Sequence, residues 1–136
     1  MMAGSLSVSI VVYQLDEAEL VRNLRTLRLA ADRLPDTAVQ LFLIDNSEHS
    51  VLANALLRIA QDTLWQHATV VSGHGNIGYG AGHNLAIRAT TASSHLVLNP
   101  DVEIDPDALR HGLLTLAVPT TVLVGAVGRD GSGKPG

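Results

Sequence analysis

No cysteine occurs among the 136 residues. That removes disulfides, thiolate zinc sites, iron–sulfur clusters and cysteine nucleophiles together. Charge is scarce as well. Charged residues make up 16% of the chain, and 9 bases face 13 acids for a net charge of -4. No basic patch offsets that balance, so nucleic acid is not an expected partner. No apolar run approaches the roughly 18 residues of a membrane span. The opening MMAGSLSVSI lacks a basic segment and a cleavage-site pattern, so it reads as the first strand of a cytosolic protein rather than a signal peptide. The zinc pattern HExxH, the nucleophile elbow GxSxG and the P-loop are missing too.

What is present is apolar. Hydrophobic residues make up 46% of the chain, enough to exclude disorder and to build one core, so residues 1–136 form a single domain. The apolar pattern alternates between two periods. Leu6–Tyr13 is a β-branched run of strand length. Asp16 and Glu19 then have capping-box spacing, and Leu20, Leu24, Leu27, Ala31 and Leu34 share one helical face. Ala38–Ile44 is a second strand. Val51–Trp65 is a second helix offering Leu52, Leu56, Ile59 and Leu64 for burial. Ala68–Ser72 is a third strand, 82–93 a helix, His95–Leu98 a fourth strand. A helix opening at Asp105-Pro106 follows, then a fifth strand over Thr120–Val127 and a flexible tail over 129–136. This alternation predicts an α/β fold: a mostly parallel sheet with helices on both faces. Ligands of such sheets lie beyond the carboxyl ends of the strands.

The unusual residues fall at those ends. Strand one ends in Tyr13-Gln14 and strand two in Asp45-Asn46-Ser47. Strand three runs into a loop in which Gly73, Gly75, Gly78, Gly80 and Gly82 are five of the chain's 12 glycines. Backbone N–H groups can approach a ligand there, and the following helix N-terminus suits an anion such as diphosphate. The same loop could equally be a surface loop or a close strand–helix packing turn. Strand four ends in Asn99-Pro100-Asp101, which is either a turn or a place for a hard cation shared with phosphate. Asp45 either bonds a ribose or base, or forms an Asx-turn with Ser47. Asp105 reads as a helix cap and Glu103 as solvent-facing. Of the six histidines, His74 and His83 lie nearest the glycine loop.

Four segments together resemble family 2 glycosyltransferases of the GT-A fold, with a rhamnosyltransferase-like look. They are VSIVVYQLDEAEL at Val8–Leu20, FLIDNSE at Phe42–Glu48, NIGYGAGHNLAIR at Asn76–Arg88 and LVLNPDVEIDPDAL at Leu96–Leu109. The resemblance runs from about Ser7 to Asp130 and covers the family's N-terminal, nucleotide-sugar-binding half. It implies that Tyr13 and Asp45 hold the nucleoside, and that Asn76, Gly78, Gly80, Gly82 and Asn84 wrap the base and diphosphate. Asn99-Pro100-Asp101 would stand for the D-x-D motif, with Asp101 facing Mg²⁺ or Mn²⁺ and Asn99 bonding ribose through its amide. The donor would be dTDP-rhamnose or a UDP- or GDP-sugar, and the acceptor a polysaccharide or glycolipid at the cytoplasmic face of the inner membrane.

In this family a second half supplies the acceptor site and the catalytic base. After Val127 the only acid here is Asp130, so no catalytic residue is assigned. The chain alone is expected to bind donor without transferring sugar, and to self-associate through an open edge near Thr120–Val127. The alternatives are a non-catalytic nucleotide-binding or assembly module of the same fold, and a sugar-phosphate nucleotidyltransferase. The last expects a basic glycine-rich loop after strand one, where this chain has Tyr13-Gln14-Leu15-Asp16.

Overall fold

A computed structural model describes residues 4–117. Its elements run β1 (Gly4–Val12), α1 (Glu17–Asp32), β2 (Thr37–Asp45), α2 (Ala53–Asp62), β3 (Thr69–Val71), α3 (Tyr79–Ala89), β4 (Ser94–Leu98) and α4 (Ala108–Leu116), with a short 3-10 turn at Glu48–Ser50. The four strands form one sheet in the order β3-β2-β1-β4, and every pairing is parallel. The expected fifth strand at Thr120–Val127 and the tail lie outside the described residues.

Side chains of β1 alternate between two faces. Leu6, Val8, Ile10 and Val12 join Leu41 and Leu43 of β2, Leu98 of β4, and Leu20, Leu24, Leu27, Leu56, Ile59 and Leu109 of α1, α2 and α4 in the main core. Val11, Phe42 and Ile44 point the other way, into a smaller cluster with Ala86 of α3. Helices thus cover both faces, as the continuous apolar runs imply. The α1 stripe is buried as its spacing predicts, and Asp16 caps it by accepting from the Glu19 N–H at 3.1 Å.

Three boundaries differ from the expected ones. Helix α2 stops at Asp62, because Leu64 takes a left-handed φ of 68°. Leu64 is therefore 67% exposed, and Trp65 enters the core instead, its indole N–H donating to the Leu24 carbonyl at 3.0 Å. Helix α3 begins at Tyr79, three residues before Gly82, because Gly78 turns the chain at φ 89° and its carbonyl accepts the Gly82 N–H at 3.0 Å. Helix α4 begins at Ala108, after a turn in which the Asp105 carboxylate accepts from the Asp107 N–H at 2.9 Å.

The order 3-2-1-4 reverses direction between β1 and β4. That switch point opens a crevice beyond the carboxyl ends of these strands. Tyr13 and Asn99 stand on its two sides.

Candidate functional site

The polar clusters at the four strand ends are linked into one rim. Asn46 follows β2 and is buried. Its backbone N–H donates to the Val12 carbonyl at 2.9 Å, and its side-chain N–H donates to the Gly78 carbonyl at 2.8 Å. Its side-chain oxygen is 2.9 Å from Nε2 of His74. The end of β1, the end of β2 and the glycine segment thus share one side chain. Asn46 was not singled out in the sequence, because its neighbour Asp45 carried the more obvious chemistry.

Asp45 is buried, and its carboxylate is engaged by its own chain. One oxygen accepts from the N–H and hydroxyl of Ser47 at 2.9 and 2.5 Å, and the other accepts from the Leu52 N–H at 3.0 Å. The Asx-turn of the two alternatives is therefore formed. These bonds hold a strained segment, since His49 and Ser50 are both left-handed, at φ 63° and 51°. Tyr13 stands exposed at the end of β1, and its hydroxyl donates to Glu48 at 3.4 Å.

The glycines divide into three kinds. Gly73, Gly75 and Gly78 have positive φ and shape the loop. Gly80 is exposed on the first turn of α3, with open space where a Cβ would be. Gly82 is buried, and a Cβ there would lie 3.0 Å from Val11 and 3.2 Å from the Asn46 side chain. Gly82 is thus a packing glycine whose N–H is already taken, and it does not offer that N–H to a ligand as expected. Asn76 accepts from the Gly78 N–H at 3.1 Å and so shapes the entry to α3. Asn84 is exposed in the second turn of α3. No side chain caps α3, so its first-turn N–H groups have no side-chain partner at the positive end of the helix.

Asn99-Pro100-Asp101-Val102 is a turn, closed by the Val102 N–H on the Asn99 carbonyl at 3.3 Å. It is clamped from α1. Asn23 is buried, and its side-chain N–H groups donate to the Asn99 carbonyl at 2.9 Å and the Val102 carbonyl at 2.7 Å. Asn23 interrupts the apolar stripe between Leu20 and Leu24, which is the sequence signal that could have exposed it. Asp101 is exposed at the tip. The Tyr79 hydroxyl donates to the side-chain oxygen of Asn99. Burial, and then the charge of Asp101, push the Tyr79 phenol above its ordinary pKa.

At the end of β4 the exposed carboxylate is that of Asp101. Among the described residues no three His, Asp or Glu side chains converge to hold a metal. A Mg²⁺ or Mn²⁺ ion shared with phosphate would need no more than one or two such carboxylates, and Asp101 would be the one to hold it.

Of the two histidines nearest the glycine loop, His83 turns away from the rim. It is buried against the sheet, with Nδ1 2.6 Å from the Ser9 hydroxyl. That hydroxyl is also 2.8 Å from Nε2 of His95, whose Nδ1 is 2.6 Å from the Ser7 hydroxyl. Burial, and then the neighbouring His95, lower the pKa of His83 from 6.5 to about 4. Burial lowers that of His95 too. A groove of about 340 Å³ lined by Arg28, Gln40, Trp65 and His67 lies away from this rim, beside the start of β3.

The described residues thus form a parallel α/β domain with a polar rim at its switch point and an uncapped helix N-terminus beside it. The chain matches the family model "Glycosyl transferase family 2" over residues 7–135. It belongs to that family. No curated protein matches it in sequence. Among solved structures it is similar to the crystal structure of S. aureus TarS 1-349, with a TM-score of 0.60 and 14% identity. The match covers 82% of this chain and 32% of that one. The fold is thus of GT-A type, and the chain spans about a third of that neighbour's length.

Proposed function

We propose that this chain is the donor-binding part of a glycosyltransferase that moves a sugar, rhamnose foremost, from a nucleoside diphosphate to a polysaccharide or glycolipid acceptor. The observation that supports it is the single rim described above, in a chain of family 2. Tyr13 and the Asp45 turn would seat the nucleoside. The N–H groups at the start of α3 would meet the diphosphate, and the amide of Asn99 would bond the ribose. Asp101 would hold Mg²⁺ or Mn²⁺, which supplies charge neutralisation for the departing diphosphate. In the transfer, the bond between the anomeric carbon and a diphosphate oxygen breaks as an acceptor oxygen bonds that carbon. The rim residues act on the leaving side, by binding and orienting the diphosphate.

Calorimetry with dTDP-rhamnose, UDP-glucose and GDP-mannose, each with Mn²⁺ and with EDTA, tests the reading. It expects saturable binding, tightest for dTDP-rhamnose. No binding of any of the three overturns it. A module that only binds nucleotide remains the second reading, because every rim residue acts on the leaving side. Multiple-turnover transfer by the chain alone excludes that module. Self-association belongs to the same proposal. Val97 on β4, an edge strand of the described sheet, is 46% exposed. Sedimentation that finds only monomer at high concentration would refute it.

A further inference from the structure

We propose that Tyr79 is a positioning residue for the donor site, holding the side-chain oxygen of Asn99 so that the Asn99 amide N–H groups face the ligand. The proposal rests on the donor-site reading and specifies how Asn99 is used.

The backbone of Asn99 is already fixed, because Asn23 donates to the carbonyls of Asn99 and Val102 from inside the molecule. What remains free is the rotation of the Asn99 side chain. An amide has one acceptor end and one donor end, and the two serve opposite ligands. A phenol at neutral pH has a proton to give, and here it gives it to the Asn99 oxygen. The donor end is then left for the crevice. Diphosphate and ribose oxygens are acceptors, so this is the orientation that a nucleoside diphosphate needs. The reverse orientation would turn the amide oxygen toward an anionic ligand.

Tyr79 is suited to the task because it is held in turn. It is the first residue of α3, and its ring meets the ring of His83 edge-on, with centroids 4.5 Å apart and planes at 77°. His83 is buried and fixed by Ser9 at 2.6 Å. The hydroxyl therefore bridges α3 and the end of β4 across the switch point.

The test uses the ¹⁵N-labelled 136-residue chain and three variants: Tyr79→Phe, Asn99→Ala and the double variant. The side-chain amide signals of Asn99, identified by their loss in Asn99→Ala, should shift in Tyr79→Phe without ligand, while the melting temperature holds. With UDP or dTDP as the probe, Tyr79→Phe should bind about 3- to 10-fold more weakly, as for one lost hydrogen bond. In the Asn99→Ala background the same change should cost nothing further. Equal losses in both backgrounds, or none in the unaltered one, overturn the proposal. Absence of nucleotide binding by the unaltered chain overturns the donor-site reading. Asn99 signals indifferent to Tyr79→Phe overturn the hold itself, whichever way that binding result falls.

Discussion

The side chain of Asn46 donates to the backbone carbonyl of Gly78 at 2.8 Å, so a buried amide just after β2 fixes the residue that precedes α3. Asn46→Leu removes one of the two donors to that carbonyl, leaving it the Gly82 N–H, and takes away the partner of His74. Stability should fall by about 1–3 kcal/mol in urea melts. Amide exchange over residues 73–78 should speed up more than exchange in β1. Unchanged exchange there would mean that the segment is held by other contacts.

Asp45→Ala removes three charge-assisted bonds from a buried carboxylate. A loss of about 2–4 kcal/mol is expected. Asp45→Asn should lose less, since one acceptor oxygen remains. If both variants melt with the unaltered chain but bind nucleotide more weakly, the carboxylate serves the nucleoside and not the turn.

Gly82→Ala places a methyl group 3.0 Å from Val11 and 3.2 Å from Asn46. Overpacking of this kind costs about 1–3 kcal/mol. Gly80→Ala meets open space and should be neutral or slightly stabilising, because alanine favours a helix. Thermal melts of the pair separate packing from loop flexibility.

Stability should begin to fall in mild acid, between pH 6.5 and about 4, before most carboxylates take up protons. The folded pKa of His83 is about 4, against 6.5 for the free side chain. The unfolded chain therefore binds more protons between these values. The contribution is complete above pH 6.5 and is lost as pH drops from 6.5 toward 4. It amounts to no more than about 3 kcal/mol. His95 adds in the same direction. Denaturant midpoints from pH 7.5 to 4.5 check this, and His83→Phe should flatten the slope.

Asp101→Ala should abolish whatever gain Mn²⁺ gives to nucleoside diphosphate binding, and should leave the melting temperature in place because the side chain is exposed. Equal affinities with EDTA and with Mn²⁺ in the unaltered chain would remove the cation from the proposal.

The fold was legible because strand and helix periods are strong signals over Leu6–Trp65. The rim followed from where those strands end. What stayed hidden depended on contacts between distant segments. Whether Asp45 turns inward is decided by Leu52 and Ser47, and whether Gly82 is loop or packing is decided by Val11. That His83 faces the sheet and not the loop is decided by Ser9, 74 residues away in sequence. A local pattern did exist for its partners: Ser5, Ser7 and Ser9 alternate through β1 and mark its α3 side as polar.

The Ser9 hydroxyl has one proton and two imidazole neighbours. If it gives that proton to His83, then His95 must carry its own hydrogen on Nε2 and accept from Ser7 on Nδ1. If it gives the proton to His95, every direction reverses. The two tautomers are therefore chosen together, as one ordered row or its mirror image. The rows differ at their far end, where Nε2 of His83, buried and without a partner among the described residues, bears a hydrogen in one and a lone pair in the other. A change as small as Ser7→Ala, made at the opposite end of the row, can thus alter the electrostatic environment of the Tyr79 ring.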